Sequence, residues 1–126
     1  MEELAVKISE AELEVLQLLW EEGTPLPVNV LRTRLAESRG WEATTVKTLV
    51  NRLVQKGVLL QEKRNVFYYS PLIGKADYDR WATGNLIKRL YRGSARNLVA
   101  ALVSSHDLTQ SDIEELRSLL DGEERP

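Results

Sequence analysis

Thr44, Thr45, Lys47, Thr48, Asn51, Arg52 and Lys56 crowd into one stretch, Trp41-Glu-Ala-Thr-Thr-Val-Lys-Thr-Leu-Val-Asn-Arg-Leu-Val-Gln-Lys56, which ends at Gly57. Hydroxyls, a carboxamide and cations of this kind donate and accept hydrogen bonds and neutralise anions. In a major groove they read base edges and clamp phosphates. No acid stands between Ala43 and Lys56, so nothing along this stretch repels a polyanion.

Other chemistry finds little support. The chain has no cysteine and a single histidine, His106, which excludes disulfides, thiol catalysis and thiolate metal sites. Only carboxylates remain for a metal, and no cofactor or metal is expected. Ser104-Ser-His-Asp107 is not a catalytic triad, because adjacent residues cannot align as nucleophile, base and orienter. No glycine-rich phosphate loop occurs. The chain reads as a binding protein and not as an enzyme.

What must hold the polar residues in place is the other side of their own helix. Val46, Leu49, Val50, Leu53 and Val54 recur at i, i+3, i+4, i+7 and i+8, one apolar stripe. Upstream, Ser9 and Glu12 form a capping box, with Ile8 and Leu13 as a hydrophobic staple. Leu13, Leu16, Leu19 and Trp20 then give a core face that Gly23 ends. Thr24-Pro-Leu-Pro27 is an extended connector into a second helix, with Val28, Leu31 and Leu35 inside and Gly40 closing it. Beyond Gly57 the period becomes that of strands: Val58 to Glu62 and Val66 to Ser70 flank the polar turn Lys63-Arg64-Asn65. Three helices and a hairpin spell a mainly α winged helix-turn-helix, with the hairpin as wing.

A boundary is expected at Pro71-Leu-Ile-Gly74, dividing a DNA-binding domain, 1–71, from a helical dimerisation domain, 72–126. The second part holds three helices, about 75–92, 94–104 and 110–121, with Ser94 and Thr109 as caps. Such short helices could barely bury a core alone, so a second copy of the chain is the simplest partner. Trp81, Leu86, Ile87, Leu90, Leu98, Leu102, Ile113, Leu116 and Leu120 are the expected intersubunit residues.

The net charge of −2 over 126 residues hides a split. Residues 1–24 carry one lysine against seven acids, and 106–126 two cations against seven acids. Between them, 25–64 hold eight cations and three acids, and 65–105 six and two. Local cations, not net charge, set counterion release from DNA. No apolar run approaches the roughly 20 residues of a membrane span, and the acidic start Met1–Lys7 lacks the features of a signal peptide, so a cytoplasmic location is expected.

Taken together, Ile8-Ser-Glu-Ala-Glu-Leu-Glu-Val15 with Leu19-Trp20, the Thr45-to-Gly57 core, Tyr68-Tyr-Ser-Pro71 and Ile113-Glu-Glu-Leu116 resemble the penicillinase-repressor (BlaI/MecI/CopY) family of bacterial repressors. The likeness covers nearly the whole chain and is strongest over the first 71 residues. It implies a homodimer that sits on an inverted-repeat DNA operator and blocks transcription. The copper-responsive branch uses a C-terminal cysteine cluster, which this chain lacks. The β-lactam-responsive branch is cut by a membrane-bound sensor metalloprotease, and the equivalent bond here lies near Ala101–Leu102.

Within this frame Lys47 and Thr48 are assigned to base edges, and Asn51 and Arg52 to the backbone or partial base contacts. Thr44 and Thr45 are either N-cap residues or phosphate contacts. Lys56 is a phosphate contact or a partner of the helix dipole. Lys63 and Arg64 at the wing tip address the adjacent minor groove or phosphates, and Arg32 addresses phosphates. Two competing readings remain open: a winged-helix module that binds an acidic protein, and a regulator gated by a small molecule held near Trp81 or between the C-terminal helices.

Overall fold

The computed structural model describes Ala5 and residues 8–122; the rest of the acidic start Met1–Lys7 lies outside the described residues. Its elements are α1 (Glu10–Glu22), β1 (Leu26–Pro27), α2 (Val28–Arg39), α3 (Ala43–Gln55), β2 (Leu59–Lys63), β3 (Phe67–Pro71), α4 (Lys75–Tyr91), α5 (Ala95–Ser104) and α6 (Gln110–Leu120). The order is that of a winged helix followed by three helices, as the periodicities predict.

Capping explains where α1 starts and stops. The Glu12 backbone N–H donates to Ser9 Oγ at 3.1 Å, and the Ser9 N–H donates to Glu12 Oε1 at 2.9 Å. Gly23 ends the helix at φ 72°, a left-handed position that glycine takes without strain. The buried face is Glu12, Val15, Leu16, Leu18 and Leu19, whereas Leu13 is only half-buried. The face is rotated from one that starts at Leu13, because Glu12 is a core position as well as part of the cap. In α2, Leu31 and Leu35 are buried and Gly40 caps at φ 69°.

The sheet is antiparallel in the order β1-β3-β2. Leu26 and Pro27 pair with Tyr69 and Tyr68, so the expected connector is a short edge strand. Proline suits it, since an edge position asks for no donor. Both hairpin strands begin one residue later than the β-rich runs predict. Val58 is the reason: it is fully buried, its N–H donates to Leu53 O at 2.9 Å, and its carbonyl accepts from the Leu72 N–H at 2.8 Å. It closes the end of α3 before the ladder starts.

One core, built from α1, α2, α3, β1, the wing base and Ile73, serves this unit. It extends to Ala82, and the second compact unit begins at Thr83, later than the boundary expected at 71/72. Aromatic packing accounts for the difference. The Trp20 indole N–H donates to Ile73 O at 3.0 Å, and the Tyr78 ring lies 5.8 Å from both Trp20 and Trp81. Trp81, expected between subunits, therefore packs partly buried against its own winged-helix core.

In the second unit, Ser94 caps α5 through the Asn97 N–H at 3.1 Å, and Thr109 and Asp112 form a capping box on α6. No residue of α5 or α6 is buried. Leu90, Val99, Val103, Leu116, Leu119 and Leu120 are exposed.

Candidate nucleic-acid interface

The α3 helix is buried on one side to near completeness: Val46 0 %, Leu49 6 %, Val50 1 % and Leu53 0 % exposed. Those four contacts fix the rotation of the helix about its axis. Thr44, Thr45, Lys47, Thr48, Asn51 and Arg52 are consequently all exposed on the other side. Glu42 occupies the N-cap without a side-chain hydrogen bond, which places Thr44 and Thr45 inside the first turn; neither is the cap. The Thr48 hydroxyl donates to Thr44 O at 2.9 Å. Its proton is thereby committed, and its oxygen is left to accept.

Two hollows flank the helix. One, of about 240 Å³, is lined by Thr44, Thr45, Thr48, Leu49 and Arg52. The other, of about 400 Å³, runs between α2, α3 and the wing, with Arg32, Lys47, Asn51, Lys63 and Asn65 over a floor of Val28, Val50, Phe67 and Tyr69. Strand alternation builds its far wall. Lys63 pairs with Phe67 and Gln61 with Tyr69 across the hairpin, so these four share a face. The Gln61 amide donates to Tyr69 Oη at 2.9 Å, and Lys63 Nζ lies 5.3 Å from the Phe67 ring. Arg32 Nε is buried and has no hydrogen-bond partner among the described residues. A buried charged donor without an acceptor is costly, and Arg32 is one of the residues that line this hollow.

Arg64 lies on the other face of the wing, stacked 4.5 Å over Tyr68 and 3.8 Å from Glu62 Oε1. Lys56 is also set apart. Its ammonium lies 2.6 and 2.8 Å from the two Glu12 carboxylate oxygens, so a residue expected to contact DNA is engaged inside the domain. Burial alone would raise the Glu12 pKa; the Lys56 ammonium and the Ser9 donors outweigh it and hold the carboxyl below its ordinary range.

The structure thus sets Arg32, Lys47, Asn51 and Lys63 around one hollow and Thr48 and Arg52 around the other, with no carboxylate lining either hollow or within 4 Å of any of these cations among the described residues. It adds Gln61, Asn65 and Phe67, which were not singled out in the sequence. Period-2 alternation along the wing was the available signal for Gln61 and Phe67. Among the described residues no cluster of His, Cys, Asp or Glu could hold a metal, and no helix is long and apolar enough to cross a membrane.

A family model described as "Penicillinase repressor" matches residues 8–122. The methicillin resistance regulatory protein MecI of Mammaliicoccus sciuri is 33 % identical over 121 residues, covering 95 % of this chain and 98 % of the relative. The penicillinase repressor of Bacillus licheniformis is 30 % identical over 116 residues, 91 % of this chain and 90 % of its own. Among solved structures, the DNA-binding domain of the repressor BlaI is similar at TM-score 0.52 and 36 % identity, over 57 % of this chain and 88 % of that one. A second is monomeric Bacillus licheniformis BlaI in complex with the blaP half-operator, at TM-score 0.51 and 36 % identity over the same shares.

Proposed function

The chain belongs to the penicillinase repressor family, and we propose that it is a cytoplasmic, homodimeric transcriptional repressor that binds an inverted-repeat operator. Its coarse function, DNA-binding repression, follows from the family and from the half-operator complex of its relative BlaI. Each protomer lays α3 in the major groove of one half-site. Lys47, with the Thr48 oxygen and Asn51, faces base edges, and Arg32, Arg52 and Lys63 take backbone phosphates. The single observation carrying this reading is the acid-free surface where α3, Arg32 and the wing converge around an unsatisfied Arg32 Nε. A module for an acidic protein would use the same cations. It would not need the hollow that runs between α2, α3 and the wing.

The second unit supplies the dimer in this reading. Helices with no buried residue in α5 and α6, and with Leu90, Leu116, Leu119 and Leu120 exposed, bury their apolar sides only against another chain. Two half-sites then lie about one turn of B-DNA, roughly 10 bp, or a multiple of it apart. Derepression acts on this unit, through a membrane-bound sensor metalloprotease cutting near Ala101–Leu102. Both residues are half-buried within α5, so the cut requires local unwinding, which a helix without a buried anchor permits at small cost.

A mobility-shift titration against random and selected duplexes at rising salt tests the proposal. Affinity that falls steeply with salt and favours one inverted repeat is the expected outcome. Salt-independent binding, or equal affinity for all duplexes, would remove it.

A further inference from the structure

We infer that the second unit carries its own binding surface for a phosphate backbone, formed by Lys88, Arg89, Arg92 and Arg96. The inference rests on the reading of the chain as a duplex-DNA binder and adds a contact that the winged helix does not provide.

The first ground is how cations are paired. Elsewhere, Arg34 sits on Glu22, Arg39 on Glu14, Lys75 on Asp79 and Arg80 on Asp77, while Arg117 on α6 has no carboxylate within 4 Å among the described residues. Lys88, Arg89, Arg92 and Arg96 are all exposed, and among the described residues none has a carboxylate within 4 Å. In this they match Arg32, Lys47, Arg52 and Lys63 at the reading surface. No acid occurs between Arg80 and Asp107. Acids do stand on α6, at Asp112, Glu114 and Glu115, yet the chain does not bring them to these four.

Local energetics supply the second ground. Arg92 adopts φ 49°, the left-handed region that glycine or asparagine occupies at lower cost. Arg96 lies in the first turn of α5, where no acid stands and the helix dipole disfavours a cation. Two of the four cations thus occupy positions where backbone and dipole oppose them. A residue kept against its local preference points to a use for its side chain.

The surface is also separate from the apolar one. Lys88 and Arg89 lie in the last turn of α4, off the side that carries Leu86, Ile87 and Leu90, and Arg92 follows the helix at φ 49°. A membrane-surface helix sets its cations beside an apolar face that inserts; here Lys88 has Gly84 and Asn85 one turn back, and Leu86 stands one turn back from Arg89. A rigid polyanion met by charge alone is the better fit, and duplex phosphates are the one this chain already addresses.

The test compares the full chain with Arg89→Ala/Arg92→Asn/Arg96→Ala and with Arg92→Asn alone. The probes are a random-sequence duplex of about 40 bp, long enough for two half-sites one turn apart and their flanks, and phosphatidylserine vesicles. The triple variant is expected to keep its helicity and its dimer in sedimentation. Its log K against log salt slope should be shallower by about 2, one phosphate per protomer at about 0.9 each. Arg92→Asn should weaken duplex binding without lowering the melting temperature. An unchanged slope, while the parent chain binds duplex, overturns the inference. So does loss of the dimer, which would make the patch a contact to the partner's acids, or loss of vesicle binding alone, which would make it a membrane surface. A parent chain that binds no duplex overturns the repressor reading itself, and this one with it.

Discussion

Glu12 and Lys56 stand 44 residues apart in sequence, yet Lys56 Nζ lies 2.6 Å from Glu12 Oε1. The glutamate is at once the third residue of the α1 capping box and the buried anchor for the end of α3. Its side chain is 2 % exposed and that of Lys56 30 %. This pair joins the start of the first helix to the C-terminal end of α3, so the cap of one element helps aim another. The pair also draws the Lys56 ammonium into the domain's own ion pairing.

Removing the lysine should therefore hurt stability more than recognition. Lys56→Ala leaves a buried carboxylate without its cation, which costs about 2–4 kcal/mol at pH 7. In the parent chain the Glu12 carboxyl titrates below its ordinary value of 4.5. Its contribution is complete above that value and is lost as pH falls through the lower, folded pKa. The variant's deficit should shrink towards pH 4, where the orphaned carboxyl takes up a proton. Urea midpoints at both pH values check this, and a deficit independent of pH would contradict it. At pH 7, under conditions where both proteins are folded, DNA affinity should differ little.

Base reading and phosphate clamping should separate by mutation. Lys47→Ala is expected to lower affinity for the selected operator by about 1–3 kcal/mol and to leave random duplex much less affected. Lys63→Ala should weaken both alike and flatten the salt dependence by about 0.9 per phosphate lost. Competition binding on the two duplexes measures each split. Equal losses for Lys47→Ala on operator and random DNA would refute the assignment.

Arg32 makes a sharper case. Its Nε is buried without an acceptor, so Arg32→Met should leave the free protein as stable as the parent, or more stable, while duplex affinity falls. Thermal melts with and without duplex resolve this. A large loss of stability in the free protein would assign Arg32 a structural role.

Rigid support for α3 comes from its apolar stripe. Leu53 is fully buried, and Leu53→Ala should cost about 2–5 kcal/mol through lost burial and the cavity left behind. Denaturant unfolding reads that loss, and DNA binding should decline with the folded fraction.

On the second unit the opposite pattern is expected. Leu116 and Leu120 are exposed in the single chain. Leu116→Glu/Leu120→Glu should leave the winged helix folded but convert the dimer to monomer in sedimentation at micromolar concentration. Operator affinity should collapse with it. A persistent dimer would move the subunit contact elsewhere.

Short-range order was legible from the residues alone. Capping boxes at Ser9 and Thr109, glycine stops at Gly23 and Gly40, and the Val46–Leu49–Val50–Leu53 stripe each depend on neighbours three or four positions away. Spacing along a chain encodes such contacts directly, and from them came the winged helix and the donor-rich face of α3.

What folding alone decided involves partners far apart in sequence. Nothing near Leu26 announces that it pairs with Tyr69, nothing near Trp81 announces Tyr78 stacked towards Trp20, and nothing near Lys56 announces Glu12. The burial of Glu12, the inward turn of Lys56 and the unsatisfied Arg32 Nε all follow from three-dimensional packing, because burial and charge pairing depend on which surfaces meet and not on local periodicity. A helical repeat names the residues on a face; only the packed core determines which cations on that face stay free for a ligand.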